Sequence, residues 1–352
     1  MKNFMIAVIL LALGLLGYNI YAWDAKSSKK STREIHSLTI HQKPHLVKTQ
    51  RVGMNWDHHS YEVVKTLQPG YLRTVTTPDN ALEFITFARK FNSTPWLIIP
   101  SDLPNENYYF LGHLLKEEKF NHVVVEMDNH HPELVENAFR YLTDGYGKGV
   151  SVKKVLNAPN IQIDQLLSTL ENVPSADYIL VETNQNLKQL ANKIRKLGKN
   201  IAVDDKTIAG SLLGKQWIEQ LGFKIQPQVV TIKNNEDSAA LALKMMNSAI
   251  FGAAHKIHQE NKDSKITGIA FKSTSKWSAA IYNDSDAAEN VELEFPNDNR
   301  LVPHEVLTLS GENDVKIKRG FAECCKNRLV TFQIPAHSFV VLPPQHYLTN
   351  NG

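Results

Sequence analysis

Cysteine is almost missing from this chain. Cys324 and Cys325 are the only two, and they are neighbours. A bridge between adjacent residues needs a strained backbone, so no disulfide framework holds the fold, and two thiols are too few to begin a cysteine zinc site. An excess of one charge is missing as well. The net charge is +3 over 352 residues, and the clearest basic cluster, Lys26 to Arg33 in KSSKKSTR, has no aromatic residue interleaved with it. Such a stretch reads as a solvated linker and argues against a nucleic-acid surface. No G-x-G-x-x-G turn follows a strand-like segment, which argues against a dinucleotide fold. What is present, 42% hydrophobic and 21% charged residues, is ordinary globular composition. The length suits one large domain with a small companion.

The N-terminus carries Lys2, an apolar run from Phe4 to about Gly17, and then NIYAWD. This is the layout of a secretory signal with Ala22 at the cleavage position. Counted on to Trp23, the run also reaches the ~20 residues of a membrane helix. Two readings of residues 1–22 therefore stand, a cleaved signal peptide and a membrane anchor. Either puts the body outside the cytoplasm: secreted, periplasmic or tethered to a membrane. Residues 23–45 follow as a basic linker.

From residue 50 strands and helices alternate. QRVGMNW, YLRTVT, TPWLIIP, HVVVEMDN, VSVKKVLNA, ADYILVETN and NIAVDD read as seven strands, most of them followed by an amphipathic helical segment. Thr77 and Pro78 mark one helix start. After an irregular region, DSAALALKMMNSAIFGAAHKIHQ predicts one long helix and KITGIAFK an eighth strand. Eight strands joined largely by helices predict an α/β chain with a (β/α)₈ TIM-type barrel over residues 46–272, an open doubly wound sheet being the alternative. Past residue 273 the helical pattern stops, and short β-rich runs such as HEVLTLSG and RLVTFQIPAHSFVVLPP predict a small all-β sandwich over 273–347.

One stretch concentrates polar groups at the end of a buried strand. In VVVEMDNHHPEL, residues 123–134, the valines deliver Glu126, Asp128, Asn129, His130 and His131. Strand ends of a barrel are where binding groups collect. With YLRTVTTPDNALEFITFARKFNSTPWLIIP, VEMDNHH, IAVDDK and IPAHSFVVLPP in this order, the chain resembles clan A glycoside hydrolases over roughly residues 50–345. The similarity is to arabinofuranosidase- and xylosidase-like members that carry a C-terminal β-sandwich. The resemblance implies that Arg73 orients a nucleophile and that Asn129 holds a sugar hydroxyl. It also implies a carbohydrate partner.

The chain departs from that family at both catalytic carboxylates. The acid/base glutamate falls at His130, and the nucleophile glutamate at Asp205, one methylene shorter. Retaining hydrolysis needs two carboxyls ~5 Å apart, and a misplacement of ~1 Å costs on the order of a hundredfold. Imidazole can act as a general acid but is only partly protonated near neutral pH. The expectation is thus a degenerate or weakened retaining site, with Asp205, His130 and Glu182 as its catalytic candidates. An active glycosidase using Asp205 or Glu182 with His130 is the alternative. Glu126 has the same facing as His130 but lies deeper, where a structural role is expected.

Trp56, Asp57 and His58 after the first strand complete the expected substrate-binding set with Arg73 and Asn129. A tryptophan there serves either sugar stacking or the core. The WDHH, DNHH and DDK clusters also contain the ligand types of zinc or manganese sites, which would suit a metal-assisted hydrolase. No spacing demands a metal, and no metal or other cofactor is expected.

Overall fold

A computed structural model describes residues 35–344 except 57–60, 121, 129–130, 149, 159–162, 183–185, 206–209, 233–236, 260, 262, 275, 297–304, 311–315 and 325–328. The N-terminal signal or anchor segment lies outside the described residues, as do Asp57, His58, Asn129, His130 and Cys325. Among the described residues no helix is long and apolar enough to cross a membrane.

The repeat expected from residue 50 is there. β2 (Gly53–Asn55), β3 (Tyr71–Val75), β4 (Thr94–Ile98), β5 (Val123–Asp128), β6 (Val152–Asn157), β7 (Tyr178–Glu182), β8 (Asn200–Asp205) and β9 (Gln228–Thr231) form a closed parallel barrel. Its seam closes where Gly53 pairs with Val229. The helices between and after them are α1 (Tyr61–Leu67), α2 (Ala81–Lys90), α3 (Asn105–Glu117), α4 (Pro132–Tyr146), α5 (Ile163–Asn172), α6 (Leu187–Lys196), α7 (Ser211–Gly222) and α8 (Ser238–Ala249). Alternation along each strand sends one set of side chains out to these helices and the other into the lumen. Leu72, Leu97, Val125, Leu156, Val181, Val203 and Val230 belong to the outer core. Tyr71, Trp96, Val124, Val155, Leu180, Ala202 and Val229 fill the inside. The barrel is therefore plugged by side chains rather than hollow.

Two boundaries differ from the sequence reading. The eighth barrel strand is β9, the short QVVT in the region read as irregular, whereas KITGIAFK is β11 (Ile266–Ser273) of a second sheet. Four residues are too few to display a period. The long helix expected through Gln259 stops at Ala249, and residues Ala253–Gln259 form β10. Gly252 makes that change of direction possible. It has φ +64°, and a Cβ there would lie 2.1 Å from the carbonyl oxygen of Lys272.

The second sheet has ten strands in the order β15-β14-β18-β12-β11-β10-β1-β13-β17-β16. Its remaining members are β1 (Ile35–Ile40), β12 (Lys276–Asn283), β13 (Glu289–Glu294), β14 (Glu305–Ser310), β15 (Lys318–Phe321), β16 (Glu323–Cys324), β17 (Leu329–Ile334) and β18 (Ser338–Leu342). Leu38, Ile281, Val291, Leu293, Ile334 and Val340 share its own core, as expected for a sheet folded into a sandwich. The other face, with Phe271, Tyr282, Phe339 and Val341, merges with the barrel's outer core. The segment read as part of a linker thus supplies a central strand, β1, between β10 and β13. Its alternation buries Leu38 and Ile40, but its partners lie more than 200 residues away in sequence.

Candidate active site

The polar groups at the C-terminal ends of the barrel strands assemble into one buried network centred on Arg73. Its Nε and Nη2 donate to the two carboxylate oxygens of Glu126 at 2.7 and 2.6 Å. Its Nη1 donates to Asp204 Oδ2 at 3.0 Å and to Asn55 Oδ1 at 2.9 Å. Glu126 also accepts from Trp96 Nε1 and from Asn157 Nδ2, both at 2.7 Å. Four donors fill the acceptor capacity of a carboxylate. Asn55 continues the network to Thr231 Oγ1 at 2.8 Å and Asp204 Oδ1 at 3.4 Å. Glu126 and Asp204 are almost completely buried, and Arg73 is 6% exposed. Burial opposes the charge of the guanidinium, but Glu126 and then Asp204 outweigh it and leave the Arg73 pKa raised.

Asp205 is not in this network. The expectation placed the nucleophile position there, with Arg73 as its partner; the residue that meets Arg73 is Asp204. Successive strand side chains point to opposite faces, so only one of two adjacent aspartates can enter the lumen. Ala202 belongs to the inner core and fixes Asp204 on that side. Asp205 faces the helix layer, where its carboxylate accepts from Trp217 Nε1 at 2.8 Å and Gln220 Nε2 at 3.2 Å. Trp217, a fully buried core side chain, therefore also tethers a buried acid.

Two carboxylates stand nearer the mouth, and both are half-buried. Asp128 ends β5 and accepts from Ser101 Oγ at 3.0 Å. Glu182 ends β7 and shares the lumen side of Tyr178 and Leu180 by alternation. Trp56 lies against the helix layer, its ring stacked at 5.3 Å from Phe84 and 4.8 Å from Phe87. This contact packs it against the outer core. Among the described residues no group of three or more His, Cys, Asp or Glu is placed to hold a metal ion. Asp205 lies on the opposite face of its strand from the lumen side on which Asp128 ends β5.

No family model and no curated protein matches the chain. Solved structures do. The GH51 arabinofuranosidase from Xanthomonas axonopodis pv. citri superposes with a TM-score of 0.63 at 10% identity, covering 88% of this chain and 100% of that one. A glycoside hydrolase family 30 subfamily 8 xylanase, Xyn30A from Clostridium acetobutylicum, gives 0.64 at 11% identity over the same shares. A Paenibacillus polymyxa family 44 xyloglucanase gives 0.61 at 10% identity, again covering 88% and 100%. The chain shares its fold with these glycoside hydrolases. At such identities the likeness speaks for the barrel and its sandwich alone. The glycoside hydrolase-like barrel anticipated from the motifs is borne out at that level, with the mouth built from this chain's own residues.

The network as a whole was only partly visible in the sequence. Arg73 was expected, and Glu126 was expected in a structural role. Asn55, Asn157 and Thr231 carry no signal in the sequence, because each is a common polar residue at the end of a strand, and Asp204 stands out there only as part of the DDK cluster. Only the closed register brings the seven strands carrying Asn55, Arg73, Trp96, Glu126, Asn157, Asp204 and Thr231 around one centre.

Proposed function

We propose that this is an exported, glycoside hydrolase-like protein that engages a carbohydrate at the C-terminal face of its barrel through a degenerate retaining site. The carbohydrate class follows the substrates named for the structural neighbours, an arabinofuranosidase, xylanases and xyloglucanases. Export follows from the apolar N-terminal segment. The observation that carries the degenerate reading is the end of β8. Asp204 is bound to Arg73 and Asn55, and Asp205 faces Trp217 and Gln220. Neither aspartate is presented to a substrate as a nucleophile, and histidine follows Asn129 where an acid/base glutamate would stand. In this reading Asp128, Glu182, Asn129, His130, Asp57 and His58 supply the polar contacts of the mouth.

A second reading has one observation in its favour. Asp128 and Glu182 are half-buried carboxylates at the ends of two lumen-facing strands, and a pair at the retaining separation could act as acid and nucleophile. The purified full chain assayed on aryl glycosides and on a glycan array separates the two. The expected result is glycan binding without turnover, weakened by Glu182→Gln and His130→Ala and unaffected by Asp205→Ala. Turnover abolished by Glu182→Gln would establish the active reading. Neither binding nor turnover on any glycan would overturn both.

A further inference from the structure

The ten-stranded sheet folds over into a sandwich without closing on itself. β15 and β16 are its two end strands, and only Ala322 separates them along the chain. β15 pairs with β14, whereas β16 pairs with β17 at Thr331 and Val330. Past Thr331 the two ends part. Among the described residues no strand pairs with that edge of residues 332–334, or with the free edge of β15. A seam of about 580 Å³, lined by residues of both β15 and β17, lies there.

Its lining mixes apolar, amide, hydroxyl and cationic groups. Val306 and Phe332, both members of the sandwich core, give it an apolar floor. Thr308 stands opposite Lys318 across the β14–β15 pair. Asn290 stands opposite Gln333 across β13–β17, with the Gln333 amide donating to it at 3.4 Å. Phe321 is 76% exposed, so its ring is open to a ligand. Lys318 and Arg319 are the charged members of the lining, and no acid joins them. Arg319 leans on Glu305 at 3.7 Å, a contact between exposed side chains that water screens. Glu292 shares the face of Asn290 by alternation but lies outside the seam. Gly320 keeps the slot open. It lies opposite Val306, and a Cβ there would meet nothing within 4 Å.

These groups discriminate among occupants. A peptide strand added to β15 is opposed by Lys318 and Arg319, since charged side chains of this kind guard sheet edges against pairing. An exposed ring instead offers a flat apolar face to the C–H groups of a sugar. Side-chain amides bond its hydroxyls, and a cation takes a carboxylate. The volume falls within the ~300–1,000 Å³ usual for ligand sites. We propose that the seam between β15 and β17 is a second binding site, on the sandwich, for an acidic oligosaccharide of the uronate class. Phe321 stacks on a sugar ring, Asn290 and Gln333 bond hydroxyls, and Lys318 and Arg319 hold the carboxylates. The site lies outside the barrel and does not rest on the reading of the barrel mouth.

The test titrates the full-length protein by calorimetry with tetragalacturonate, with neutral cellotetraose, and with a tetraglutamate peptide. In parallel, NMR follows the backbone amide of Gly320 and the side-chain amides of Asn290 and Gln333. The expected result is saturable binding of tetragalacturonate that shifts all three signals and weakens with added salt. It should fall by about tenfold or more in the double variant Lys318→Gln/Arg319→Gln, the loss of charge-assisted hydrogen bonds. Gly320→Phe should abolish it by filling the slot. Glu182→Gln at the mouth should leave it unchanged, which separates this site from the carbohydrate contact proposed for the barrel. If Gly320→Phe fails to fold, the amide shifts of the unmodified protein decide. No binding of tetragalacturonate, equal binding of cellotetraose or tetraglutamate, or binding that leaves the three amide signals unmoved would each overturn the proposal.

Discussion

Arg73 shows how much one side chain organises. Its planar fork answers Glu126 with two parallel bonds and still reaches Asp204 and Asn55. One guanidinium between two carboxylates leaves a charge deficit, which Trp96, Asn157 and Asn55 offset with neutral donors. Buried ion groups contribute less to stability than their geometry suggests, but breaking one strands the partner in a dry environment. Arg73→Ala is therefore expected to destabilise the fold by about 3–5 kcal/mol, measured as a lower urea midpoint at unchanged slope. A loss below about 1 kcal/mol would mean that water enters the lumen and solvates the two acids, contrary to their near-zero exposure.

At the scale of elements, α7 carries more than its position as one barrel helix suggests. One face holds Trp217 and Gln220 against Asp205, and another meets the second sheet. Gly214 is the point of contact with β18. A Cβ at that position would lie 2.2 Å from Cγ of Phe339, a side chain that is fully buried. The helix accepts a glycine mid-length, at a propensity cost of roughly 0.8–1.0 kcal/mol against alanine, because the ring needs the space. Gly214→Ala should thus lower stability despite its better propensity, by about 1–3 kcal/mol of overpacking. Combining it with Phe339→Leu should recover part of the loss in a thermal melt. A single Gly214→Ala variant that melts higher than the parent would show that the ring moves aside at little cost.

For the molecule as a whole, the two sheets are not sequential modules. β1 enters the sandwich before the barrel begins and pairs with β10 on one side and β13 on the other. It buries Leu38 and Ile40, each contributing about 1.5–3 kcal/mol by removal from water. Protein lacking residues 1–34 keeps β1 and should unfold cooperatively near the full-length midpoint. Protein lacking residues 1–40 exposes the facing edges of β10 and β13 and should aggregate or melt well below it. Size-exclusion profiles and calorimetry of the two truncations provide the comparison, and equal behaviour would show that β1 adds nothing to the sheet.

The sequence alone determined the strand–helix rhythm, the barrel class, the all-β end, and the collection of polar residues behind β2, β5 and β8. These are local properties, written in hydrophobic period and turn chemistry, so they survive without knowledge of neighbours. It also shows histidine at position 130 and a pair of adjacent aspartates at 204 and 205. Tertiary structure alone decided which aspartate of β8 faces the lumen, which short segment closes the barrel, and where residues 35–40 belong. The reason is common to all three. A strand buried on both faces, as in NIAVDD, is apolar on either side and carries no alternation to mark its inner edge. A strand of four residues has too little length to show any period, and a strand whose partners come two hundred residues later is indistinguishable from a linker until they arrive.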